Sequence, residues 1–128
     1  MENQSDKPKL MSLKAVERYV GSRDLVVNAY APWCHHCKEF ESVYGEFRAK
    51  LRETNPHVSV VRLNAHKHFD ELQRTRIGED MYKAPLADAI EYFPTILLLR
   101  KDGRGGIYDG ERAVPAMVEA ISKFFSAS

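Results

Sequence analysis

Cysteine is scarce in this chain. Among 128 residues there are two, Cys34 and Cys37, and the only tryptophan, Trp33, stands beside them. So few cysteines exclude a disulfide-stapled scaffold. The one intramolecular disulfide they allow spans only His35 and His36, whereas stabilisation by a cross-link grows with the length of chain it closes. A structural zinc site is also poorly supplied. It needs four ligands, a second CxxC pair is missing, and only His66 and His68 stand as candidates to complete one, so no metal is expected. Long apolar runs are absent too: the most apolar stretch, Ile96 to Leu99, is far too short to cross a bilayer. Nor does charge of one sign prevail. Nineteen basic and eighteen acidic side chains leave a net charge of +1, which gives no global reason to seek nucleic acid or anionic lipid. The first eight residues contain neither a basic region nor an apolar core of the kind that addresses a chain for export. There is no internal repeat and no low-complexity tract.

What is present suits one globular domain over residues 1–128, with 44% hydrophobic and 29% charged residues. Residues 1–8 are expected to form a flexible tail. Leu13, Val16 and Val20 follow helical spacing behind a cap at Ser12, with Gly21 placed to end the helix in a left-handed conformation. Leu25 to Ala31 is almost continuously apolar, interrupted only by Asn28, and predicts a strand buried on both faces that Pro32 ends. Phe40, Val43, Tyr44, Phe47 and Leu51 then recur at three and four residues, predicting a long helix that starts near the cysteines and stops before Pro56. Val58 to Leu63 and Thr95 to Leu99 predict two more buried strands. After the second, the turn Lys101-Asp102-Gly103 leads to an antiparallel partner around Ile107 and Tyr108. Val114, Met117, Val118, Ile121 and Phe125 predict a closing helix with Pro115 in its first turn. Between Asn64 and Pro94 the connection is long, with a charged helical candidate at His68 to Arg76; residues 66–89 read as an atypical inserted region. His57, His66 and His68 are expected to be solvated, and the charge run Arg74 to Asp80 to be an exposed face or loop. The order of elements implies a mixed sheet with helices on both faces.

The CxxC pair carries the chemistry. A thiolate attacks a disulfide, and a cysteine in the first turn of a helix has its anion favoured by unpaired amides and the helix dipole. Cys34 occupies that position. The dipole is worth only about 0.3–1 kcal/mol, so His35 and His36 are expected to add stabilisation; about 1.4 kcal/mol raises a two-electron potential by about 30 mV. Cys37, one turn further on, is expected to be less exposed, to keep a higher pKa and to resolve mixed disulfides formed at Cys34. Trp33 is expected to shape the surface around the pair.

The run Leu25 to Lys38, ending Ala-Pro-Trp-Cys-His-His-Cys-Lys, resembles the second strand and active-site helix of the thioredoxin superfamily, and most resembles the catalytic domains of protein disulfide isomerases. Phe93-Pro94-Thr95 resembles the family's cis-proline loop, and Tyr108-Asp109-Gly110-Glu111-Arg112 the segment before its last helix. The resemblance covers about Leu10 to Phe125, excepting the region near His66 to Ala89. It implies a thioredoxin-like α/β fold, a thiol–disulfide oxidoreductase needing no cofactor, and protein thiols or disulfides as substrates. Phe93 and Pro94 would bind an extended substrate peptide by strand addition, and Arg112 would assist the second proton transfer. Where the family usually has a buried carboxylate six residues before the first cysteine, this chain has Asn28. An amide cannot titrate, so Cys37 would lose its proton through water, Arg112 or a nearby histidine, and release of mixed disulfides would be slow. The plainer expectation is that Asn28 is a hydrogen-bonded core amide. A monomer is expected, in the endoplasmic reticulum lumen or secretory pathway if the chain is an excised domain and in the cytoplasm if it is full length. The alternatives are a cytosolic thioredoxin-like reductase, the thioredoxin-like module of a sulfhydryl oxidase, and a binding or zinc module that merely carries vicinal thiols.

Overall fold

The structure is a computed structural model that describes residues 8–74 and 86–127. Five strands, β1 (Lys9–Met11), β2 (Asp24–Tyr30), β3 (Val58–Asn64), β4 (Thr95–Leu99) and β5 (Gly105–Tyr108), form one sheet in the order β1-β3-β2-β4-β5. The first three in that order run parallel, while β4 is antiparallel to β2 and β5 to β4. The helices are α1 (Leu13–Tyr19), α2 (His35–Thr54), the single turn α3 (Phe69–Leu72) and α4 (Val114–Ser126). This is the mixed, two-sided α/β architecture expected of a thioredoxin-like fold.

Central strand β2 shows why its sequence is apolar throughout. Leu25, Val27 and Ala29 face a cluster with Leu13, Val16, Leu63, Leu72 and Leu97, which packs against α1 and α3. Val26 faces the opposite cluster, where Phe40, Tyr44, Phe47 and Leu51 of α2 meet Met117, Ile121 and Phe125 of α4 over Val60, Ile96 and Leu98. Burial on both faces removes the alternation that would mark a half-exposed strand. The local signals also operate. Ser12 accepts from the Ala15 amide at 3.2 Å, and Gly21 lies at φ +84° after the last turn of α1, a conformation that costs glycine little.

Two segments differ from expectation. Strand β1 was not anticipated, because Lys9 and Leu10 are exposed and only Met11 is buried; it exists through pairing of Lys9, Leu10 and Met11 with Val61, Arg62 and Leu63. The helix expected from His68 to Arg76 is a single turn as far as Leu72, followed by a turn at Gln73 and Arg74. Its remainder, most of the run Arg74 to Asp80 and the expected N-terminal tail up to Lys7 lie outside the described residues.

Tyr44 ties α2 to the sheet. Its ring is fully buried and its hydroxyl lies 2.7 Å from the Val61 carbonyl and 3.2 Å from that of Val26, bridging β3 and β2. Burial pushes the phenol well above its ordinary range. The exchange Tyr44→Phe keeps the ring and removes the donor, so it is expected to lower unfolding free energy by about 1–3 kcal/mol. Urea midpoints with an unchanged m-value would measure the loss.

Candidate functional site

Helix α2 starts where β2 and the turn through Pro32 and Trp33 deliver the chain to the C-terminal end of the parallel strands. Cys34 is its N-cap, in extended conformation, and its Sγ accepts the Cys37 amide at 3.1 Å. The positive end of the helix and an amide donor both favour negative charge on that sulfur. The Cys34 amide in turn donates to the Ala31 carbonyl at 3.1 Å, closing the turn. Both thiols are free.

Burial pushes Cys37 up to about 12, helped by the hydrogen bond and charge interaction with Cys34 and opposed by a backbone contact at Ala31 and the charge of Arg112. It is therefore held as the protonated thiol at neutral pH. The difference in exposure between the two is smaller than their proposed roles suggest: 6% for Cys34 and 3% for Cys37. Both sit in a small cluster with Ala31, bordered by Tyr30 and Phe93.

The rim of the site is aromatic. Trp33 is 63% exposed and meets Phe93 edge to face at 5.6 Å and His66 at 6.1 Å. The Phe93–Pro94 peptide bond is cis. Arg112 donates to the Pro94 carbonyl at 2.6 Å and lies over Phe40 and Tyr92, 5.4 and 5.9 Å from the ring centres. Phe40, Tyr92, Phe93, Pro94 and Arg112, with His36, Glu39 and Val43, line an open groove. Four segments distant in sequence thus meet here: 30–40, His66, 92–94 and Arg112.

His35 and His36 project into solvent rather than over the sulfurs, and each ring nitrogen stands 3.6 Å from a different oxygen of Glu39. Glu39 and Tyr92 were overlooked in the sequence, although spacings of three and four from the histidines mark Glu39 as their neighbour. His66, taken as solvated, is exposed yet braces Trp33. His68 departs further, with a side chain only 14% exposed and Nδ1 3.0 Å from Glu71. Among the described residues no three His, Cys, Asp or Glu side chains gather as a metal site.

Asn28 is 1% exposed, in register between Arg62 of β3 and Ile96 of β4, on the sheet face that carries α2. Its Oδ1 has no hydrogen-bond partner among the described residues. The amide is buried as expected, and its oxygen is the atom left without a partner.

A family model described as Thioredoxin matches residues 9–123. The chain belongs to the thioredoxin family. Within it, this thioredoxin-family chain is 37% identical over 75 residues to a probable protein disulfide-isomerase A4 of Caenorhabditis elegans, a match covering 59% of the chain and 10% of that protein. It is 30% identical over 103 residues to a protein disulfide-isomerase of Schizosaccharomyces pombe, covering 79% and 25% respectively. The chain thus spans between a tenth and a quarter of these relatives. Its fold is that of the first thioredoxin domain of mouse protein disulfide-isomerase A4, with a TM-score of 0.72 at 22% identity over 93% of this chain and 76% of that one. Human ERp44 in crystal form II gives 0.74 at 22% identity, over 98% and 31%.

The raised Cys37 value fixes the sign of an alkaline effect. The folded, reduced protein holds this proton more tightly than the unfolded chain, so its contribution to stability is full below pH 9.0 and declines as pH rises towards about 12. Urea midpoints of the reduced protein are expected to fall over that interval, and to fall less in Cys37→Ala. In the reduced wild type, the Cys37 Cβ resonance is expected to titrate well above 9.0.

Proposed function

We propose that the domain is a thiol–disulfide oxidoreductase of the protein disulfide isomerase type, acting on protein thiols and disulfides without a cofactor. The observation that carries this reading is the sulfur of Cys34 at the N-cap of α2, held at 3.1 Å by the amide of Cys37 with the second thiol beside it. In the oxidising direction a substrate thiolate attacks Cys34 of the Cys34–Cys37 disulfide, and Cys37 leaves and takes a proton. A second substrate thiolate then attacks the mixed disulfide, Cys34 leaves, and the substrate has lost two electrons to the domain. In isomerisation Cys34 attacks a substrate disulfide, and Cys37 resolves the adduct when the substrate does not.

The other residues follow from their places. Trp33, Phe93 and Pro94 form the surface that receives an extended substrate, with the Phe93 backbone available for strand addition. His35 and His36, next to the nucleophile, tune the potential, and Arg112 assists proton loss from Cys37. Asn28, buried in β2 six residues before Cys34, carries an amide that cannot take a proton, which supports slow resolution of mixed disulfides by Cys37. The similarity to disulfide isomerases favours a single domain of a longer, secretory-pathway protein over a cytosolic reductase.

Equilibration with glutathione tests the direction. A potential near −180 mV, about that of protein disulfide isomerase, supports the reading, and one near −270 mV, about that of thioredoxin, would replace it with a reductase. Cys34→Ser is expected to abolish exchange, and Cys37→Ser to accumulate mixed disulfides visible on non-reducing gels. In Asn28→Asp, release of a trapped substrate is expected to quicken by about tenfold, equivalent to about 1.4 kcal/mol of barrier. An unchanged release rate would remove Asn28 from the mechanism.

A further inference from the structure

The segment that carries Arg112 is irregular. It runs from the end of β5 at Tyr108 to the start of α4 at Val114, and the N-cap of that helix, Ala113, makes no side-chain cap bond. The usual chemistry of a helix start therefore does not fix the residues before it. Tyr108 does. Its ring is buried in the cluster that holds Phe40, Ile96 and Met117, and its hydroxyl donates to the carbonyl of Glu111, the residue next to Arg112. The turn is thus closed on itself by a buried phenol. Gly110 permits the closure: a Cβ at this position would lie 2.8 Å from the tyrosine oxygen and 2.9 Å from its ring, too close to be accommodated without a shift.

Beyond Arg112 the contacts continue to the substrate-facing loop. The guanidinium donates to the Pro94 carbonyl at 2.6 Å and lies over Phe40 and Tyr92. At the start of β4 the buried Thr95 donates its hydroxyl to the Tyr92 carbonyl. The loop from Tyr92 to Pro94 is therefore tied by Thr95 on one side and by Arg112 on the other. Sheet register sets the two anchors against each other, because Tyr108 pairs with Ile96, the residue after Thr95. One hydroxyl in the core reaches the loop through Glu111, Arg112 and Pro94.

We propose that Tyr108 is a positioning residue for disulfide exchange: its hydroxyl, with Gly110 packed against it, docks Arg112 on Pro94 and so keeps the Phe93–Pro94 backbone in the arrangement that receives an extended substrate. This rests on the reading that Phe93 and Pro94 form the substrate surface. The physical reason is one of population. A loop that visits its receptive arrangement about a fifth of the time binds about fivefold more weakly, since apparent affinity scales with the competent fraction. The sulfur chemistry at Cys34 is left alone, so KM carries the effect and kcat does not.

The test uses the full chain and two measurements: solvent exchange of the Arg112 guanidinium protons by NMR, and turnover of a short peptide whose central cysteine is disulfide-bonded to mercaptoethanol, with reduced glutathione as electron donor. Tyr108→Phe keeps the ring and removes the donor. In it the guanidinium protons are expected to exchange about fivefold faster, and KM for the peptide to rise about fivefold with kcat within about twofold of wild type. Gly110→Ala, whose methyl would press on the hydroxyl, is expected to reproduce both changes. In an Arg112→Met background, Tyr108→Phe is expected to alter KM by less than about twofold, because the group it positions is gone. Urea midpoints show which variants are folded under the assay conditions. Unchanged guanidinium exchange, a wild-type KM, a fall in kcat alone, or the same rise in KM with Arg112 already replaced would each overturn the proposal, the last by making Tyr108 a packing residue only. Should the wild type exchange no disulfide, the oxidoreductase reading fails by itself, and guanidinium exchange still decides whether Tyr108 docks Arg112.

Discussion

The hydrogen bond from the Cys37 amide to Cys34 Sγ joins the start of α2 to the chemistry at its tip, and most of the domain serves to hold it. The amide is one of the donors every helix leaves unsatisfied at its first turn. Here a sulfur satisfies it in place of the usual hydroxyl or carboxylate cap. The position of that sulfur depends on β2, buried on both faces, which delivers Ala31 and the turn to a fixed height above the sheet. It depends equally on Tyr44, whose hydroxyl fastens α2 to the carbonyls of Val26 and Val61.

How much of this could be read from residues alone follows the range of the interactions involved. The apolar periods of α2 and α4, the caps at Ser12 and Gly21, and the hairpin after Leu99 are encoded within a few residues, and they stand where the sequence places them. Strand β1 has no such local code: two of its three side chains are exposed, and only pairing with a strand some fifty residues away makes it a strand. The site divides in the same way. Cys34, Cys37 and the two histidines are contiguous and legible, as is the spacing of Glu39, but the contacts of Trp33 with His66 and Phe93, and of Arg112 with Pro94 and Tyr92, join segments that only the fold brings together. The orphaned Asn28 oxygen was equally out of reach, since a sequence gives burial by pattern but not the absence of a partner.

Charge is balanced over the chain but not over its surface. At the cysteine end Glu39 lies between two imidazoles, and a lone guanidinium is spread over two rings. Elsewhere four basic side chains, Lys9, Arg23, Arg48 and Arg52, line one cavity. A near-zero total is thus a poor guide to local fields, which screening confines to about 8 Å at physiological salt.

The solitary indole has a practical consequence. Because Trp33 is the chain's single tryptophan, exposed to 63% and adjacent to Cys34, selectively excited ultraviolet emission comes from one place only. That emission is a signal from the surface beside Cys34, where the indole meets Phe93 and His66, free of tryptophan background from the rest of the molecule, so the domain carries its own optical probe.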